Sequence, residues 1–140
     1  MKSLSVKLVV IFIGLTIFAY AEVWGADWKV YFYSELGTSS YDVQNIIRPS
    51  RNLVRGRLKQ DYTPEGIAKM VATFGADYQN LNESIILWEL NCTSKEFRFL
   101  QVTHYSKDGG ILLTGKMMKG EWDLIIPGTN FDFLYKALCK

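Results

Sequence analysis

Leu53-Val-Arg-Gly-Arg-Leu-Lys-Gln60, followed almost at once by Thr63-Pro-Glu65, decides the fold class. In the first stretch Val54, Gly56 and Leu58 fall on one side, and Arg55, Arg57 and Lys59 on the other. That is the period of two of a half-buried strand. The second stretch is a helix start, with a hydroxyl N-cap, a proline at the first helical position and an acid in the first turn. Ile67, Met70, Val71 and Phe74 then recur at helical spacing, so this helix is expected to bury one apolar stripe and to end at Gly75.

Toward the N-terminus, residues 28–33 alternate as a strand, residues 35–40 are turn material, 41–47 read as a second strand and 48–52 as the loop that ends it. Toward the C-terminus, residues 84–92 and 95–105 read as strands. Lys107-Asp-Gly-Gly110 then makes a hairpin turn that pairs 111–118 back on 99–105. Residues 122–126 form one more strand, stopped by Pro127-Gly128. Thr129 is expected to cap a short C-terminal helix that buries Phe131, Leu134, Tyr135 and Leu138. Short hairpin connections favour an antiparallel sheet, so the expected class is α+β: an antiparallel sheet, open or, if strongly bent, closing toward a barrel, with one mid-chain helix and one short C-terminal helix.

The chain begins with Lys2 and Lys7, an apolar run from Leu8, and Ala19-Tyr20-Ala21. Basic, greasy, then small-x-small is the layout of a secretion signal. The run is shorter than the roughly 20 residues that span a bilayer, and Glu22 interrupts it. Cleavage is expected after Ala21, with Ala26 as the second candidate, leaving 22–140 as a single domain exported to the periplasm or the cell surface. No cysteine lies near the cut, so lipid attachment is not expected. The whole-chain charge of +2 belongs to the signal: without Lys2 and Lys7, 14 basic residues face 14 acidic ones. A neutral mature chain with scattered charges is a poor nucleic-acid binder, because that binding depends on clustered cations neutralising phosphates.

Cys92 and Cys139 are the only cysteines, and both fall in the exported part. In an oxidising compartment such a pair reads as a disulfide, here tying the last residues to the middle of the domain. A zinc site would need more ligands at closer spacing, and there is no Cys-x-x-Cys for redox work.

Groups for catalysis are few. The sole histidine, His104, sits in an alternating strand and is best read as structural. Glu121 and Asp123 flank Trp122 and could mimic a glycosidase pair, but a solvated strand face with Trp122 turned inward explains them more simply. Asp108-Gly109-Gly110 is a turn, not a phosphate loop. No catalytic residue, metal ligand or cofactor is assigned. The distinctive polar feature is Arg55, Arg57 and Lys59, with Arg48 and Arg51 just before them: a candidate surface for an acidic protein segment or an anionic polymer. The structural alternative is cross-strand pairing with acids such as Glu89 or Glu96.

Several stretches together resemble the bacterial surface-adhesin protein E-like family: Trp28, Tyr41-Asp42, Ile46-Ile47-Arg48, Asn52-Leu53-Val54, Asn91-Cys92, Gly110, Trp122-Asp-Leu-Ile-Ile-Pro-Gly-Thr129 and Leu138-Cys139. The resemblance covers nearly the whole mature chain. It implies a small exported antiparallel domain of Gram-negative bacteria with the two cysteines joined, and an adhesin-like, non-enzymatic binding role. The expected function is thus recognition of a protein or polymer partner. A component of an envelope assembly built by edge-strand pairing, with a homo-oligomer as its form, is the second reading, and a small periplasmic enzyme the third.

Overall fold

The computed structural model describes residues 26–116 and 120–140. The expected signal segment, and the last residues of the expected strand 111–118, lie outside the described residues. The elements run β1 (Trp28–Ser34), β2 (Gly37–Asp42), a 3-10 turn (Val43–Asn45), β3 (Ile47–Ser50), β4 (Leu53–Tyr62), α1 (Pro64–Phe74), a second 3-10 turn (Ala76–Asn80), β5 (Leu81–Asn91), β6 (Glu96–Ser106), β7 (Ile111–Lys116), β8 (Asp123–Leu124) and α2 (Asn130–Leu138). The strands form one antiparallel sheet in the order β1-β2-β4-β5-β6-β7, with β3 added to β4 and β8 to β6. β1 and β7 stand at opposite ends of this path, so the sheet is open. Among the described residues no helix is long and apolar enough to cross a membrane.

β4 behaves as its alternation predicts. Val54 and Leu58 enter a core with Tyr41, Trp88, Leu90, Phe131 and Leu134, while Arg55, Arg57 and Lys59 stay on the other face. Gly56 lies on the core face because the Trp88 ring crosses it: a Cβ there would stand 2.8 Å from Trp88 Cζ2. α2 lies on the core face and contributes Phe131 and Leu134, as its spacing required. The Cys92–Cys139 disulfide fastens its end to the sheet, and the Tyr135 hydroxyl adds a hydrogen bond to the Cys92 carbonyl (3.1 Å).

Several local expectations need correction. Residues 37–42 form a strand where turn composition pointed to a loop. Gly37-Thr-Ser-Ser40 is held between β1 and β4, and the buried Ser39 hydroxyl donates to Gln60 (2.6 Å) and accepts from Asn130 (2.9 Å). The strand expected over 41–47 stops at Asp42, whose carboxylate caps the 3-10 turn at Gln44, and most of the expected loop 48–52 is β3. Only Asp123 and Leu124 of the strand expected over 122–126 find a partner, opposite Glu96 and Phe97 at the end of β6. In α1 the apolar stripe is half-buried, and Phe74 is exposed at the helix end, stacked on Tyr78. Thr63 caps α1 by accepting from the Gly66 amide (3.1 Å), but the Thr129 hydroxyl donates back to the Ile126 carbonyl (2.6 Å) and caps nothing.

Candidate functional site

β5 turns Trp88 and Leu90 into the core and therefore sends Glu89 to the opposite face. The register sets Glu89 directly across from Arg55 on β4 and from Arg98 on β6. Both guanidiniums close on it. Arg55 donates from Nε and Nη2 to Oε2 (3.0 and 2.8 Å), and Arg98 from Nε and Nη2 to Oε1 (2.8 and 2.6 Å). The Glu89 side chain is 1% exposed, whereas those of Arg55 and Arg98 are 39% and 30% exposed. Burial alone would raise the Glu89 carboxyl, but the hydrogen bonds from Arg98 and Arg55 outweigh it and hold the group below the usual carboxylate range.

The same construction recurs one pair away on β4. Arg57 donates to Asp42 Oδ2 (2.6 Å), and Asp42 is wholly buried while Arg57 is 42% exposed. Asp42 also accepts from Asn45 Nδ2 (2.7 Å) and from the amides of Asp27 (3.1 Å) and Gln44 (3.3 Å). These bonds keep its carboxyl low against the opposing effect of burial. Lys59 approaches Asp61 at 3.9 Å. Trp28 lies under both cations, with Arg57 Cζ 5.7 Å and Lys59 Nζ 5.3 Å from its ring, and Arg98 stacks on Trp122 at 4.3 Å.

The structure thus brings Arg55, Arg57 and Lys59 together as the sequence indicated, and adds Arg98, Trp28 and Trp122. Arg48 is turned elsewhere, donating to the Leu138 carbonyl at the end of α2 (3.0 Å), and Arg51 sits in the exposed β3–β4 turn. The pairing with Glu89 offered as the structural alternative is present, but it does not hide the cations. The carboxylates lie underneath and the guanidiniums face water. Chemically this is a face of fixed, planar donors suited to carboxylate or sulfate oxygens. Arg98 carries no signal of its own in the sequence, because its place opposite Glu89 depends on the register of the β5–β6 hairpin, in which Asn91 faces Glu96 and Leu90 faces Phe97.

His104 is buried. Its Nδ1 lies 2.5 Å from Ser84 Oγ, which also meets the Tyr62 hydroxyl at 2.7 Å, and the rings of Phe74 and Tyr78 pack against the imidazole. Burial lowers its pKa. Ser84 is completely buried, so no substrate reaches its oxygen in this conformation. Glu121 and Asp123 are exposed on either side of a half-buried Trp122. Beside them, between β8 and the first turn of α2, lies a cleft of about 650 Å³ walled by Phe97, Trp122, Leu124, Ile126 and Phe131.

Comparison with curated proteins finds no match, and comparison with solved structures finds none either. The family model of surface-adhesin protein E matches residues 28–140, from the first residue of β1 through α2 and the second cysteine. With four fifths of its length covered by that one model, and with the open antiparallel sheet and disulfide described above, the chain belongs to the surface-adhesin protein E family.

Proposed function

We propose that the protein is an exported, non-enzymatic adhesin-type module whose guanidinium face recognises an acidic protein segment or an anionic polymer. Family membership supports a surface or exported adhesin. The N-terminal segment acts as the secretion signal, cleaved after Ala21, and delivers the domain unlipidated to the periplasm or the cell exterior. The observation that carries the reading is the layering of charge: Arg55, Arg57 and Arg98 are partly exposed, while the carboxylates that orient them are buried. A guanidinium already fixed by one carboxylate loses little freedom on meeting a second anion, so binding costs less ordering.

The test is retention of the protein on immobilised sulfated polysaccharide and on polyglutamate across a salt gradient. Arg57→Gln combined with Lys59→Gln should elute at clearly lower salt, with the urea-unfolding midpoint reporting that the fold persists. Asp42 keeps three further donors without Arg57. Equal retention of variant and parent would end the proposal for this face.

A second reading, assembly through an edge strand, is favoured by one observation: β7 ends the strand path with no further partner among the described residues, leaving its outer backbone edge open to a neighbour. A monomeric mass at every concentration tested by light scattering would remove it.

A further inference from the structure

The cleft between β8 and α2 borders the guanidinium face at Trp122, whose ring carries Arg98, but the rest of its lining differs in chemistry. We propose that it is the docking site for a basic, apolar peptide segment of a partner protein, taking apolar side chains into the cleft and Lys or Arg at its lip.

The walls are preorganised. Phe97 stacks on Phe131 with centroids 4.1 Å apart and planes 6° from parallel, and Phe99 tilts against the same ring at 5.5 Å. Trp122 is held from the other side by the Arg98 guanidinium. Leu124 and Ile126 form the mouth and are 72% and 65% exposed, an unusual setting for two aliphatic side chains beside an aromatic floor. A volume of about 650 Å³ lies within the range of true ligand pockets and exceeds what one side chain fills, so the occupant brings two or three apolar groups.

Charge then selects among apolar occupants. Among the described residues the one ionisable side chain in the lining is that of Asp123, and Glu121 lies two positions before it, outside the lining. Among the described residues neither carboxylate has an ion-pair partner, whereas nearby Asp132 is already engaged by the Gly128 amide and by Lys136. The polar groups at the inner end are likewise committed. Asn130 accepts from the Tyr31 hydroxyl and donates to Ser39, and the Thr129 hydroxyl donates to Ile126. Arg98, stacked on Trp122, is itself paired with Glu89, so what remains for an incoming partner is apolar surface and the exposed Asp123 carboxylate at its lip. An acyl carboxylate or an acidic segment meets repulsion there, and a cation flanking an apolar side chain is attracted.

The experiment titrates three probes into the isotope-labelled protein: the blocked tetrapeptide acetyl-Phe-Lys-Leu-Arg-amide, its counterpart acetyl-Phe-Glu-Leu-Glu-amide, and dodecanoate. The basic peptide should shift the Trp122 indole and the Leu124 and Ile126 methyl signals, and should bind at least about tenfold more tightly than the acidic one at low salt. Leu124→Ala with Ile126→Ala should abolish saturation, and Asp123→Asn with Glu121→Gln should remove the preference between the peptides while leaving the apolar contact. Both pairs are exposed, so folding is not at stake. Tighter binding of dodecanoate, equal affinity for the two peptides, shifts confined to the guanidinium face, or concentration-dependent self-association through the same signals would each overturn the proposal. Arg57→Gln with Lys59→Gln should leave this titration unchanged, which separates it from the polymer retention of the other face.

Discussion

Replacing Glu89 by Gln tests whether the guanidinium face is held from below. The substitution keeps side-chain volume and one acceptor oxygen but removes the charge and sets an amide group against one of the two arginines. Glu89 now receives four N–H donors from Arg55 and Arg98 at 2.6 to 3.0 Å. Breaking a buried ion pair costs about 3–5 kcal/mol when the stranded charge is also buried. Here the stranded groups are about a third exposed and can turn to water, so the loss falls nearer that of a charge-assisted hydrogen bond, about 2 kcal/mol. With an m-value of about 2 kcal/mol per molar urea, the unfolding midpoint should drop by about 1 M at neutral pH.

The sign of the pH dependence follows from the depressed Glu89 carboxyl. Its contribution is complete above the carboxylate range of the unfolded chain and is lost as pH falls through the lower folded value. The gap between parent and Glu89→Gln should therefore close in acid, where protonated Glu89 and Gln are nearly equivalent. Urea midpoints at stepped pH measure this directly. No difference at neutral pH, or one that persists undiminished in strong acid, would show that the arginines are not anchored by this carboxylate.

Three further outcomes are expected. Joining residues 47 apart, the Cys92–Cys139 bridge should contribute about 4 kcal/mol by loop closure, so Cys92→Ser with Cys139→Ser should lower Tm strongly and speed amide exchange in α2; an unchanged Tm would refute it. Burial depresses the His104 pKa, so stability is full above the ordinary histidine value of about 6.5 and falls as pH drops through the folded value. His104→Gln should abolish that mildly acidic loss, and Glu89→Gln should leave it in place. Gly56→Ala sets a methyl 2.8 Å from Trp88 Cζ2 and 2.9 Å from Ile46 Cδ1, which should cost about 1–3 kcal/mol and alter the near-ultraviolet circular dichroism of Trp88. A neutral result there would mean that the indole shifts freely.

Legibility in the sequence tracks how local each determinant is. The alternation of β4, the Thr63-Pro64 start of α1 and the Phe131/Leu134 stripe of α2 are written within a few residues of one another, and the structure follows them. β2 is not written locally. Gly37-Thr-Ser-Ser40 has turn composition and becomes a strand because β1 and β4 supply partners on both edges and Gln60 and Asn130 satisfy the Ser39 hydroxyl. Conversely, 122–126 alternates well enough to be a strand, but β6 offers it pairing only at Glu96 and Phe97. The candidate site divides in the same way. Arg55, Arg57 and Lys59 show their common face in sequence, whereas Arg98 and Asp42 join them only through strand order and register.

Layered charge also changes what a mutation can report. Charge reversal at Arg55 or Arg57 would set a new carboxylate against Glu89 or Asp42, each wholly or almost wholly buried. Two acids so placed cannot both ionise without a large penalty, so the fold itself would weaken. Loss of binding in such a variant would measure unfolding as much as recognition. Neutral substitutions at Arg57 and Lys59 avoid this, because Asp42 retains its amide and Asn45 donors and Lys59 is only loosely tied to Asp61. For the same reason, the balance of 14 basic and 14 acidic residues after the signal says little about the surface a partner meets. Across this face two of the balancing acids lie beneath their arginines, and a neutral count conceals a cationic exterior.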